Sequence, residues 1–132
     1  MENMKKEIII VFVILIIIVV GHIITQNYTN DFFDNISKDL DKIEEKIYNN
    51  SFDGEELEKE IRKIMEKWDI KYDYFACYIE HDELEKVQTQ LISIRANIMV
   101  GDYDKSVDEI ERCKFILKHI EEKDSLKVIN IF

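Results

Sequence analysis

LEKVQTQLISIRANIMVGDYDKSVDEIERCKFILKHI, residues 84–120, contains two helical patterns separated by a single glycine. In the first, Leu84, Val87, Leu91, Ile94 and Ile98 recur at steps of three and four, which places them on one face of an α-helix. Val107, Ile110, Cys113, Leu117 and Ile120 do the same in the second. Gly101 between them fits a left-handed helix terminus, and Asp102 fits the cap of the helix that follows. So short a turn folds the two patterns into an antiparallel hairpin, in which residue numbers at equal height add to about 203. Leu84 then lies level with His119, Val87 with Ile116, Leu91 with Cys113, Ile94 with Ile110 and Ile98 with Val107. The apolar stripes agree level by level, as a packed pair requires.

Upstream, Leu57, Ile61, Ile64, Trp68, Tyr72, Phe75 and Ile79 carry a stripe onward from about Gly54. The longer step from Ile79 to Leu84 shifts its phase, so either the helix breaks near Glu80-His81-Asp82-Glu83 or its buried face rotates. Trp68-Asp69-Ile70 is a second candidate break. Asp53 and Glu56 have the spacing of a capping box at the start of this segment. Before Ser51-Phe52-Asp53-Gly54, the residues Phe33, Ile36, Leu40, Ile43 and Ile47 mark another helix, over about 31–48. Asn50-Ser51-Phe52-Asp53 is echoed by Gly101-Asp102-Tyr103-Asp104, which fits either stacked hairpins of the tetratricopeptide kind or coincidence. The ending, Leu126 to Phe132, is apolar enough to dock on the bundle.

Farther out, Ile8 to Val20 is unbroken apolar sequence, extended by Gly21-His22-Ile23-Ile24. A helix over 8–24, represented by Ile8, Val11, Leu15, Val20 and Ile24, is about 25 Å long, the short end of a membrane span. Lys5 and Lys6 precede it and no basic residue follows until Lys38, so residues 1–7 are expected in the cytoplasm and residues 25–132 outside it. A cleaved signal peptide competes, but β-branched residues occupy the positions where cleavage needs small ones, so an uncleaved signal anchor is expected. Tyr28, Phe32 and Phe33 fall where aromatic side chains favour the interface, and His22 is close enough to the end of the run to reach the headgroups.

The chain has 28 acidic and 18 basic residues, a net charge of −10. Glu2, Glu7, Lys5 and Lys6 cancel within residues 1–24, so the whole excess belongs to the domain beyond the anchor. A domain that acidic repels phosphate backbones, which excludes nucleic acid as a partner. Proline is absent and glycine occurs three times, which favours long helices. Lysine far outnumbers arginine, and with abundant Ile and Asn this composition points to an AT-rich bacterial genome.

The hairpin register gathers Glu80, His81, Asp82, Glu83, His119, Glu121 and Glu122 at one end. Two imidazoles among carboxylates are a candidate divalent-metal or pH-responsive site, with His81, His119 and Glu122 as the candidate ligands. The spacing lacks H-E-x-x-H or another strong metal signature, so a structural polar cluster of His81, Asp82, Glu83, His119 and Glu122 is the simpler reading. Cys77 and Cys113 lie too far apart along the hairpin for a disulfide and are expected as two buried thiols. Cys77 and His81 share a helix face, but two ligands alone do not make a zinc site. Trp68 is expected in the core, and Arg95 is expected to pair with Asp108, Glu109 or Glu111. Neither a serine elbow nor a glycine-rich phosphate loop is present, so no enzyme, cofactor or small-molecule substrate is expected.

Trp68, then His81-Asp82-Glu83-Leu84, then Lys114-Phe115-Ile116-Leu117-Lys118-His119-Ile120, then Ser125 to Phe132, together with the N-terminal apolar segment, resemble the bacterial family called domain of unknown function 4363. Gly54 departs from that pattern, which prefers a helix former there. The resemblance implies occurrence in spore-forming Gram-positive bacteria and no known activity. The expected fold is all-α: an N-terminal transmembrane helix followed by a small antiparallel helical bundle built on a long hairpin. The expected role is a membrane-anchored protein–protein interaction module of the bacterial cell envelope, in contact with the lipid bilayer and with a protein partner or a second copy. A metal- or pH-sensing domain centred on His81 and His119, or a purely structural membrane-complex subunit, is the alternative.

Overall fold

Without proline and with strong i, i+3, i+4 patterning, each segment closes into a helix that ends at a specific signal. In a computed structural model, which describes the backbone over residues 1–131 and side chains as far as Asp124, the chain forms α1 (Glu2–Tyr48), α2 (Gly54–Ala76), α3 (His81–Met99) and α4 (Tyr103–Ile131). No strand occurs among the described residues. The expected docking of Leu126 to Phe132 lies outside the described side chains.

α1 ends at Asn50, which adopts φ 51°. The Asn50 and Ser51 amides donate back to the carbonyls of Ile47 and Lys46, closing the helix with a paired left-handed terminus. α3 ends in the same way at Gly101, φ 77°, with the amides of Gly101 and Asp102 on the carbonyls of Ile98 and Asn97. The repeated motif of the sequence is therefore this pair of turns. They lie at the same end of the molecule, where Phe52 meets its counterpart Tyr103 edge-on at 4.5 Å. The hairpins they belong to do not stack as a tetratricopeptide array would. α1 packs on α2, α2 on α3, α3 on α4 and α4 back on α1, a closed up-down-up-down four-helix ring. Asp53 caps α2 by accepting the Glu55 amide at 3.3 Å, while Glu56 pairs with Lys46 rather than completing a capping box. Asp102 caps α4 through the Lys105 amide at 3.2 Å. A Cβ at Gly54 would sit 3.0 Å from the Tyr103 hydroxyl, so α4's close approach accounts for a glycine at the first position of α2.

The four predicted stripes meet in the centre. Phe33, Ile36, Leu40 and Ile43 of α1, Trp68 and Phe75 of α2, Leu84 and Ile94 of α3, and Ile110 and Cys113 of α4 are fully buried. The phase shift after Ile79 is a true break, because residues 77–80 form the α2–α3 turn, whereas Trp68-Asp69-Ile70 runs through unbroken. An ion pair spans each interface of the ring: Asp39 with Lys67 at 2.7 Å, Glu58 with Arg95 at 3.2 Å, Glu80 with Lys123 at 3.3 Å and Lys114 with Asp41 at 2.6 Å. The first three pairs, as exposed as they are, add little stability and mainly fix helix register, whereas Lys114 is more enclosed. Arg95 thus turns to α2 and not to the α4 carboxylates expected from the hairpin. Phe33 belongs to the core rather than to an interfacial belt.

The apolar run is not a separate element. α1 passes from it into the bundle wall without interruption, about 70 Å of continuous helix. Ile8 to Ile18 remain largely uncovered, and none of the most apolar window is buried inside the protein. This is the one helix among the described residues long and apolar enough to cross a membrane, a property it shares with N-terminal signal sequences.

Candidate functional site

The expected polar end exists, but its members face different ways. Lys123 bridges Glu80 at 3.3 Å and Glu83 at 3.7 Å, which confirms the predicted hairpin register. Glu83 is buried beneath this bridge. His81 instead leans on α2: its Nδ1 lies 3.3 Å from the Tyr72 hydroxyl, and the rings stack with centroids 6.0 Å apart. His119 is exposed and stacks on Phe115 of its own helix at 6.4 Å. Asp82 and Glu122 are exposed. Among the described residues, no group of three or more His, Cys, Asp or Glu side chains is placed to hold a metal ion.

The cysteines separate by environment. Cys113 is in the core, where burial pushes its thiol up to about 12, so it is not a nucleophile at neutral pH. Cys77 is exposed in the α2–α3 turn, contrary to the expectation of two buried thiols, because α2 ends one residue earlier and the core positions on either side of it are Phe75 and Ile79. Its Sγ–H donates to the Asp73 carbonyl at 3.4 Å.

Two arrangements were not foreseen in the sequence. The first is a seam of carboxylates between α1 and α4. Lys114 is held by Asp41 at 2.6 Å, Glu111 at 2.9 Å and Glu44 at 3.0 Å. Burial opposes the charge on Lys114, yet these carboxylates outweigh it and raise its pKa. Burial and the facing Glu111 raise Glu44, while Glu44 and Lys114 hold Glu111 below the usual carboxylate range. One to two turns along, burial and the facing Asp34 push Glu121 up to about 7, against the pull of Lys118. A cavity of about 470 Å³ lies on this seam, bordered by Asp34, Glu111, Lys114, Lys118 and Glu121. The signal was present: Asp34, Asp41 and Glu44 form a polar stripe beside the α1 core stripe, at the same helical spacing as Glu111, Lys114 and Glu121.

The second is a cavity of about 400 Å³ at the base of the bundle, next to the apolar run. Gly21, His22, Thr25 and Gln26 of α1 form one wall, Cys77 and Tyr78 of the α2–α3 turn another, and Asp124 of α4 the third. The Thr29 hydroxyl donates to the Thr25 carbonyl at 2.8 Å, so the Tyr78 hydroxyl donates to Thr29 and ties the turn to α1. Burial first, then the charges of Tyr74 and Asp124, push the Tyr78 phenol up to about 12.

Comparison with curated proteins finds no match, and neither does comparison with solved structures. Residues 23–131, the bundle and the last turn before it, match the family described as Domain of unknown function (DUF4363); the apolar run before residue 23 lies outside the match, and the chain belongs to that family.

Proposed function

We propose that the chain is a non-enzymatic, membrane-anchored interaction module, with its N-terminus in the cytoplasm and its acidic bundle on the outer face of the membrane. The observation that carries this reading is α1 itself. An uncovered apolar segment long enough to span runs without a joint into a bundle wall, so the bundle is held upright at a fixed height. Lys5 and Lys6, before the run, supply the orientation. The surface farthest from the anchor carries apolar side chains on both distal turns: Tyr48 is 69% exposed, Met99 64% and Val100 78%. Exposed apolar side chains on both turns offer a partner surface to dock on. His81 and His119, engaged with separate aromatic rings, lend nothing to the sensor alternative.

The test is in-cell cross-linking of a C-terminally tagged chain, with adducts mapped by mass spectrometry. A reproducible envelope protein joined near the distal turns, and lost in Met99→Glu and Val100→Glu, is the expected result. Replacement of residues 8–24 by an unrelated apolar helix should leave the adduct intact. Adducts only between copies of the chain, or none, would overturn the module reading. Loss on anchor replacement alone would favour a structural subunit whose membrane helix makes the contacts.

A further inference from the structure

The distal end of the bundle holds a groove of about 560 Å³ where the start of α2, the end of α3 and the start of α4 meet. Ile98, Met99, Val100 and Tyr103 give it an apolar lining, and α2 contributes Asp53, Glu55 and Glu58. Among the described residues, no Lys, Arg or His borders it. Glu58 is already held by Arg62 and Arg95. Asp53 and Glu55 are exposed, and neither has a cationic partner among the described residues. Asp53 accepts the Glu55 amide, which leaves its carboxylate further acceptor capacity. α3 ends at this groove with no basic residue in its last turn, so the negative pole of its carbonyls also stands without a side-chain cation.

Height and charge select the occupant. From Ile24 to Tyr48 α1 rises about 36 Å, several Debye lengths above the end of the apolar run, so the bilayer does not reach the groove. A second copy would bring another acidic distal end, with Glu55, Glu56 and Asp104 in the first turns of its α2 and α4, and like charges repel. A small free cation would leave the exposed Met99 and Val100 uncovered. Lysine and arginine satisfy both kinds of surface, because the methylene stem packs on apolar atoms while the charged head reaches a carboxylate. We propose that this groove takes a segment of a partner protein that carries Lys or Arg beside an apolar side chain, with the cation on Glu55 and Asp53 and the apolar side chain on Met99 and Val100. The proposal rests on the interaction-module reading and supplies the partner's chemistry, a basic and apolar segment presented well clear of the membrane surface.

Replacement of Met99 by the photoreactive p-benzoylphenylalanine, in the full-length chain in cells, traps the occupant of the groove on illumination. Mass spectrometry of the adduct then identifies the joined segment. A protein segment with Lys or Arg within a few residues of the joined side chain is expected. Glu55→Lys should lower the adduct yield several-fold and Glu55→Gln should lower it less. Glu85→Lys, an equal change of charge on an exposed residue at the other end of α3, should leave the yield unchanged. Reversing the mapped Lys or Arg of the partner to glutamate should abolish the adduct with the parent chain and restore it with Glu55→Lys. Circular dichroism of each variant in micelles verifies folding. An adduct on a neutral or acidic segment, or a yield unmoved by Glu55→Lys, overturns the chemistry of the groove and leaves the module reading intact. Adducts only between copies or with non-protein molecules, or none at all, overturn the module reading and the groove with it.

Discussion

Glu121→Gln should make the bundle less sensitive to rising pH. Glu121 lies between α4 and α1, with Asp34 opposite and Lys118 and Glu122 beside it on its own helix, and its folded pKa is about 7 against an ordinary 4.5. The folded chain therefore binds a proton that the unfolded chain has released between those values. Stability from this group is fully present below pH 4.5 and is lost as pH rises through 7. A shift of that size corresponds to about 3 kcal/mol by linkage, and solvent screening of a half-exposed carboxyl reduces it to about 1 kcal/mol. For a bundle of this size that is a melting shift of about 5 °C. Glutamine keeps the shape and cannot ionise. The variant and the parent should melt together near pH 5, and the variant should melt about 5 °C higher at pH 8. Circular dichroism of the full chain in micelles, from pH 5 to 9, supplies the measurement. Asp34→Asn should act in the same direction, and the double variant should fall short of the sum. A constant gap between variant and parent across that range would refute the shared-proton account of the seam.

Lys114→Met should destabilise by about 2 kcal/mol at pH 7, because it leaves Asp41, Glu44 and Glu111 facing one another, and chemical denaturation at pH 4.5 should recover much of the loss. Trp68→Ala should cost about 4 kcal/mol, since the side chain is fully buried among Phe32, Phe33 and Phe75. Trp68→Phe should cost much less in the same denaturant titration, because it also removes an indole N–H that has no acceptor among the described residues. Gly101→Ala should cost about 1 kcal/mol by forcing a Cβ into left-handed backbone, with Gly101→Asn milder, both read from thermal melts.

The core and the hairpin were legible because periodicity reports which face of a helix is apolar, and the predicted stripes are the buried ones. The hairpin register was legible because a turn as short as Gly101-Asp102 leaves one geometry, and the Glu80–Lys123 pair lies at the predicted level. Polar partners were not legible in the same way. Arg95 meets Glu58 because α2 adjoins α3 on the other side, and nothing in a stripe says which neighbour a flanking residue faces. The α1–α4 seam joins segments some 70 residues apart in sequence, so no turn fixes its register in advance. The base cavity needs three elements at once, one of them the turn that the sequence left undecided between a break and a rotation. The end of α1 near residue 48 was legible, but its left-handed terminus is Asn50, a residue whose type alone does not announce positive φ as a glycine does.

A helix with no joint between the apolar run and the bundle behaves as a keyed shaft. Each residue added or removed near Ile24 turns everything beyond it by about 100° and shifts it by about 1.5 Å along the axis. Removal of one residue there would swing the bundle by rather more than a quarter turn about its own anchor, while removal of seven would return it to within about 20° of its starting azimuth, roughly 10 Å lower. Any contact that engages both the membrane helix and the bundle must therefore tolerate sequence-length changes in steps of about seven and reject the intermediate ones. The spacing between anchor and bundle is thus constrained by angle before it is constrained by distance.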